Sequence, residues 1–236
     1  MKIVTNEKLV KRNKRIAQAA TISGLIVLVG GMILSFQRQD LINISFASLI
    51  AGFILSQVGI YFTTRFGRSP RPDEMLNLAL KGLDSKYAIY HYLTPAAHLL
   101  VGPAGLWVFM LRHQRGTISL SKGRWKHSGG GFMQTYLKLF GQESLGRPDL
   151  EIENEIEKLN KFMKPWFSEE LEAPRIQGAL VFTNDEVNIK IDTDETPPAP
   201  TLSLKQLKDF MRKTAKTKSV SSEKIEMVQE LLNGKE

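Results

Sequence analysis

The sequence predicts a mixed α/β domain carried behind a two-helix membrane hairpin. Three observations point there. Two long uncharged apolar runs lie within the first 64 residues. Beyond residue 72, short runs of strand-forming residues separated by turn signals alternate with stretches whose apolar residues recur at helical spacing. The whole chain of 236 residues is 24% charged and 42% hydrophobic, an ordinary globular balance that excludes wholesale disorder. Cysteine is absent. That excludes a disulfide framework, a thiolate zinc site and a cysteine nucleophile.

Between Arg15 and Arg38 lie 22 uncharged positions, Ile16–Gln37, and between Asp40 and Arg65 another 24, Leu41–Thr64. A helix needs about 20 such residues to cross the hydrocarbon layer. Arg38-Gln39-Asp40 is long enough only to turn the chain, so the two spans form a hairpin. Ala20 and Gly24 on the first span, and Ser48, Gly52 and Ser56 on the second, recur at a spacing that lets helix backbones approach closely. The same residues are common in membrane helices generally. Lys2, Lys8, Lys11, Arg12, Lys14 and Arg15 precede the first span against Glu7 alone, and Arg65, Arg68 and Arg71 follow the second. The positive-inside rule then expects an integral membrane protein with both termini in the cytoplasm. A cleaved signal peptide is disfavoured, because the first run is too long and lacks a small-residue cleavage site. A transporter is disfavoured as well, since neither span carries an internal charge.

The chain therefore divides into a basic arm at 1–15, a hairpin at 16–64, a linker at 65–72, a domain at 73–213 and a C-terminal helix at 214–236. Within the domain, Asp73–Leu83 reads as a helix with Met75, Leu76, Ala79, Leu80 and Leu83 on one face. Tyr87–Leu93 reads as an alternating strand. His98–Val101 and Leu106–Leu111 are apolar runs joined by the turn signal Gly102-Pro103-Ala104-Gly105, hence a hairpin of buried strands. The second is an unbroken apolar run, which predicts a central strand buried on both faces. Gly116–Leu120 and Arg124–His127 read as short strands. Leu150–Met163 reads as a helix that stops near Pro165, and Ile176–Phe182 and Val187–Ile191 as strands. Ser203 with Gln206 forms a capping box for a helix over Leu204–Lys213. The tail helix Glu223–Leu232 has an apolar stripe of Ile225, Val228, Leu231 and Leu232, which either docks on the domain or offers a surface to a partner protein. No internal repeat is present.

The segment Ala97–Gly116 reads Ala-His-Leu-Leu-Val-Gly-Pro-Ala-Gly-Leu-Trp-Val-Phe-Met-Leu-Arg-His-Gln-Arg-Gly. It resembles the signature of the nuclease-related domain (NERD) family: an Asp-His pair, an apolar strand, Gly-Pro-x-Gly, and a strand ending in Glu-x-Lys before a Gly. The helix opening at Glu74, the Tyr87 strand, the late strand Gly178–Phe182 and the helix after Ser203 fit its order, so the resemblance covers about residues 73–213. It implies the PD-(D/E)xK nuclease superfamily and a restriction-endonuclease-like α/β fold, with a mixed sheet flanked by helices. Chemistry in that superfamily needs carboxylates for Mg²⁺, a hard cation that takes oxygen ligands. Carried across residue by residue, the Asp position is Ala97, the Glu position Met110 and the Lys position Arg112, while the helix Glu survives as Glu74. Ala and Met cannot ligate Mg²⁺, and Arg cannot act as a base. No acid occurs between Ser85 and Gln142, so the resemblance implies a degenerate, pseudoenzyme member with no catalytic residue, no metal and no cofactor. The rival is an active, Mg-dependent nuclease with a ligand relocated from Asp149–Glu157 or Asp185–Asp194.

The region 65–236 carries 25 basic and 22 acidic residues, but all seven basic residues of 85–142 stand without an acid. Of these, Arg112, Arg115, Lys122, Arg124 and Lys126 form a basic stretch suited to phosphate oxygens of nucleic acid. The same stretch beside a membrane suits anionic lipid, and the sequence separates neither from the other. Trp107 and Trp125 are candidates for base stacking, although Trp107 sits inside an apolar strand and reads better as core. The four histidines at 91, 98, 113 and 127 match no compact ligand spacing and read as ordinary packing or surface residues. Ser128-Gly129-Gly130-Gly131 lacks the Lys-Ser/Thr of a phosphate loop and reads as a flexible loop.

Overall fold

The computed structural model describes residues 1–128, 145–167, 174–192 and 194–234. They form two compact units, Asn6–Pro72, and Met1–Thr5 together with Asp73–Glu236.

The first unit is an antiparallel pair of helices, α1 (Glu7–Gln37) and α2 (Ile42–Phe62), joined by a short 3₁₀ turn at Gln39–Leu41. Both are long and apolar enough to cross a bilayer. Arg38 and Asp40 pair at 3.0 Å in the turn. Helix α1 starts at Glu7, nine residues before the apolar run. The Asn6 side chain accepts the Leu9 N–H at 3.0 Å and caps the first turn, and Lys and Arg are good helix formers once outside a span. The expected basic arm at 1–15 is therefore a strand followed by two turns of helix.

Between the two helices, small residues meet backbone. A β-carbon on Gly52 would lie 2.6 Å from Leu28 Cγ, one on Gly59 2.5 Å from Thr21 Oγ1, and one on Gly31 2.8 Å from Ser48 Cβ. The large apolar side chains point away from this seam, with Ile26 65% and Phe46 64% exposed. Two hydroxyls at the seam bond within their own helices: Thr21 donates to the Ala17 carbonyl at 2.8 Å and Ser56 to that of Gly52 at 2.8 Å.

The second unit is a mixed α/β domain. Its main sheet has six strands in the order β1-β2-β3-β4-β7-β9: β1 (Lys2–Thr5), β2 (Ala88–His91), β3 (His98–Gly102), β4 (Gly105–Arg112), β7 (Ile176–Phe182) and β9 (Thr201–Ser203). Strands β2, β3 and β4 form an antiparallel meander, while β1 runs parallel to β2, β7 to β4, and β9 to β7. Gly102 pairs with Gly105 across the two-residue turn, and Gly105 takes a φ of +100° that only glycine adopts without strain. A second sheet of three strands, order β6-β5-β8, is built from β5 (Gly116–Ser121), β6 (Arg124–Ser128) and β8 (Val187–Ile191).

Helices cover both faces of the main sheet. Leu76 and Leu80, in and just after α3 (Pro72–Ala79), and Leu207 and Met211 of α5 (Leu204–Thr217) pack on Ile89, Leu100, Trp107 and Phe109. On the other face, Leu159 and Met163 of α4 (Pro148–Met163) and Ile225, Val228 and Leu232 of α6 (Ser222–Asn233) pack on Tyr90, Leu99, Val101 and Val108. Val108 is 0% and Phe109 1% exposed, so β4 is central and buried on both faces as its apolar run predicts. Two expectations need correction, and one open choice is decided. Strand β2 is buried at all four positions rather than alternating, because helices lie on both of its sides. Of the two alternatives for the tail stripe, docking on the domain is observed, with Ile225, Val228 and Leu232 of α6 buried in the main core. Strand β1, inside the expected arm, buries Val4 in the main core; four residues carry too little pattern to be read as a strand.

Two outcomes test this packing. Gly52→Val forces a methyl onto Leu28 and should lower hairpin stability by about 2 kcal/mol, whereas Gly30→Val, with nothing within 4 Å of its β-carbon, should be near neutral; thermal unfolding in detergent followed by circular dichroism compares them. Val4→Asp should destabilise the domain by about 3 kcal/mol, since it buries a charge in the core that β1 shares; the denaturant midpoint of the full chain measures it.

Candidate functional site

The end of the β3–β4 hairpin away from its turn holds the positions that carry chemistry in the resemblance. Ala97 immediately precedes β3, and Met110 and Arg112 close β4, two apart and therefore on one face. Met110 is 6% exposed and packs with Ile152, Leu180 and Phe182. Arg112 reaches α4, where its Nη2 lies 2.7 Å from Glu151 Oε2. Its carbonyl accepts hydrogen bonds from the Thr183 N–H at 2.8 Å and the Thr183 hydroxyl at 3.2 Å. The end of β4 is thus tied to β7 and α4 together. Glu74 opens α3, whose Leu76 packs on the Trp107 and Phe109 face, the side of β4 opposite to Met110. The four motif positions are therefore divided between two layers.

Four carboxylates of the two relocation windows are ion-paired. Glu151 is held by Arg112, Asp149 by Arg147 at 2.9 Å, Glu157 by Lys161 at 2.6 Å and Asp185 by Lys205 at 3.1 Å. The hydrogen bond from Arg147 holds the Asp149 carboxyl below its ordinary range. Among the described residues, no three His, Asp or Glu side chains gather as a metal site.

The basic stretch divides as well. Arg112, with its side chain 18% exposed in the pair with Glu151, is turned into the domain. Arg115, Lys122, Arg124 and Lys126 are exposed. Alternation along the small sheet explains the last two. Ile118, Leu120, Trp125, Val187 and Ile189 face inward onto Met110 and Phe182, which leaves Thr117, Ser119, Ser121, Arg124, Lys126, Asn188 and Lys190 on the outer face. The register aligns Lys126, Ser119 and Lys190 in one row across the three strands, and sets Arg124 opposite Ser121 in the next. Asp192 follows β8 at the end of that second row, where its N–H donates to the Leu120 carbonyl at 3.3 Å. Rows lie about 7 Å apart along the strands. Lys190 escapes a reading that follows the acid-free segment alone; its signal is the alternation Val187-Asn188-Ile189-Lys190-Ile191.

Both tryptophans belong to the interior side. Trp107 is 2% exposed, donates its indole N–H to the Ala104 carbonyl at 2.9 Å, and meets the Phe210 ring edge-on at 5.3 Å. Trp125 packs on the inner face of the small sheet, away from Arg124 and Lys126. Neither is placed to stack a base beside that basic row.

Pairing of β2 with β3 sets His91 opposite His98. Their Nδ1 atoms lie 2.9 Å apart, and His91 Nε2 is 3.0 Å from Asn77 Oδ1. Because the amide oxygen only accepts, His91 Nε2 carries the proton, and with a neutral His91 the bond between the rings runs from His98 Nδ1–H to His91 Nδ1. Both rings are buried. A spacing of seven residues gave no hint of this pair, which the strand register creates. His113 Nδ1 lies 2.8 Å from the Thr183 hydroxyl, and His127 Nε2 donates to the Arg115 carbonyl at 2.7 Å. Residues 129–131 of the Ser-Gly-Gly-Gly segment lie outside the described residues.

No family model, curated protein or solved structure matches the chain. The geometry itself defines a class: a mixed α/β domain, joined to two helices of membrane-spanning length, with one polar basic sheet face.

Met110→Glu, which places there the acid that the resemblance expects, should cost about 3 kcal/mol because the carboxylate would be buried among Ile152, Leu180 and Phe182. Met110→Leu should cost less than about 1.5 kcal/mol. Denaturant unfolding of the two variants, side by side, reads the difference.

Proposed function

We propose that the chain is a membrane-anchored, catalytically silent relative of the nuclease-related domains, with a restriction-endonuclease-like core, which binds nucleic acid beside the membrane. The observation that carries this reading is the outer face of the small sheet, where Lys126 and Lys190 flank Ser119 in a single row. Two ammonium groups with a hydroxyl between them suit a phosphate oxygen, and in the next row Arg124 stands beside Ser121, with Asp192 at the far end. Phosphate contacts of this kind supply affinity without sequence preference. Among the described residues no large apolar side chain stands on this face to enter a bilayer, which favours nucleic acid over lipid.

Further observations support the reading. The order helix α3, meander β2–β4, parallel strand β7, helix α5 agrees with the order that the resemblance expects. Ala97 and Met110 stand where metal-binding carboxylates would be needed, and Arg112 is engaged by Glu151. The hairpin buries Gly, Ala and Ser and exposes Ile, Leu and Phe, the arrangement that suits hydrocarbon rather than water. Strand β1 before the hairpin and the domain after it share one unit, which supports a single side of the membrane for both. The basic flanks support the cytoplasmic side.

The test uses the full chain in lipid nanodiscs and fluorescent single- and double-stranded oligonucleotides. Binding should weaken steeply with salt, and Lys126→Gln or Lys190→Gln should each lower the salt slope by about one. Lys158→Gln, on the exposed side of α4, should leave it unchanged. Cleavage with Mg²⁺ or Mn²⁺ would overturn the silent assignment in favour of the relocated site. Equal binding by wild type and both variants would overturn the interface, and binding of anionic vesicles alone would replace nucleic acid with lipid.

A further inference from the structure

We propose that the cleft between the turn after α3, the β3–β4 turn and α5 binds a small phosphate-bearing ligand. It lies at the turn end of the β3–β4 hairpin, the far end of β4 from Arg112, and owes nothing to the small-sheet face. The cleft has a volume of about 570 Å³ and is lined by Lys86, Tyr87, Arg212 and Lys216, with Asp84 and the apolar Leu83 and Pro103. That volume falls in the range of small-molecule sites.

Its walls are built from backbone and helix rather than from mobile side chains alone. The Tyr87 ring lies directly against Gly102, where any β-carbon would collide with it. This contact holds the ring beneath the β3–β4 turn. The Tyr87 hydroxyl is buried and finds no acceptor for its proton, while the Ala104 N–H approaches its oxygen. Burial raises the pKa of this phenol, the Ala104 backbone partly opposes the shift and the charge of Asp84 adds to it, so the group keeps its proton at neutral pH. A buried donor lacking an acceptor calls for one.

The charges around it are of one dominant sign. Helix α5 carries Lys205, Lys208, Arg212, Lys213 and Lys216 against Asp209 alone. Arg212 donates to the Gly82 carbonyl at 2.9 Å and Lys208 to that of Lys81 at 3.4 Å. These contacts satisfy carbonyls just beyond the end of α3, a structural duty. They also fix the guanidinium at the mouth of the cleft with further N–H groups remaining. Lys86 and Lys216 have no such duty. Asp84 is turned onto its own loop, where it accepts from the Lys86 N–H at 2.9 Å and the Ser85 hydroxyl at 3.3 Å. Asp209 lies 3.9 Å from Arg212 and offsets part of its charge, so the cleft keeps a net positive charge, and its three cations offer several donors to the acceptor oxygens of a phosphate.

Calorimetric titration of the full chain in maltoside micelles tests the site, with inorganic pyrophosphate, a mononucleotide and vesicles containing phosphatidate as separate probes. Pyrophosphate should bind, with affinity falling as salt rises. Tyr87→Phe keeps the ring on Gly102 and removes only the hydroxyl, and should weaken binding about tenfold. Lys86→Gln with Lys216→Gln should weaken it further, while Lys158→Gln, on the exposed side of α4, should leave it unchanged; the double variant should bind oligonucleotides as the wild type does, which separates this site from the nucleic-acid reading. Binding of the mononucleotide with the same variant dependence assigns a soluble ester as the source. Vesicle binding with that dependence assigns a lipid headgroup. No binding of any probe overturns the proposal, as does binding that Tyr87→Phe and the double lysine variant leave unaltered. Circular dichroism confirms that each variant is folded before it is scored.

Discussion

Helices lie on both faces of the six-stranded sheet, so β4 has no side left for water from Leu106 to Met110. Every other feature of the domain follows from that enclosure. The strand must be apolar on both faces, its neighbours β3 and β7 likewise, and polar chemistry is displaced to strand ends, turns and the second sheet. Position 110 shows the constraint at its sharpest. A carboxylate there would need a cation or solvent to offset its burial, and the surrounding Ile152, Leu180 and Phe182 supply neither.

Where polar groups do enter, each is tied to the geometry of a particular edge. Arg112, the first residue of β4 to escape the core, is drawn to Glu151 and so links the sheet to α4. His91 and His98 are buried because the antiparallel register sets them opposite each other, with Asn77 defining the proton on the outer ring nitrogen. Tyr87 is wedged under a turn made tight by Gly102 and Gly105. These are consequences of close packing: a buried polar group persists where neighbouring elements are fixed tightly enough to orient it.

The helical hairpin obeys the opposite rule. Its seam is small and its outside large and apolar, so it gains little from burial in water and much from dispersion between closely approaching backbones. Gly24, Gly31, Gly52 and Gly59 make that approach, and the hydroxyls of Thr21 and Ser56 return to carbonyls one turn back. The recurrence of small residues four apart was legible in the chain. Which of them meet was not, since that depends on the crossing of the two helices.

Local patterns carried most of the elements. Apolar periodicity placed α4 and β4, the Gly-Pro-Ala-Gly turn joined β3 to β4, and the Ser203–Gln206 box began α5. They could do so because each signal lies within one turn or one strand, where backbone preference and side-chain spacing act directly. Tertiary structure alone decided the rest. It recruited Lys2–Thr5 as an edge strand, docked the tail helix onto the sheet and paired His91 with His98. It also brought Lys190 beside Lys126 and set Arg212 and Lys216 over Tyr87. Each of these joins residues distant along the chain, and no local preference encodes such a meeting. It is chosen only when strand register and helix packing together bury the core with its polar groups satisfied.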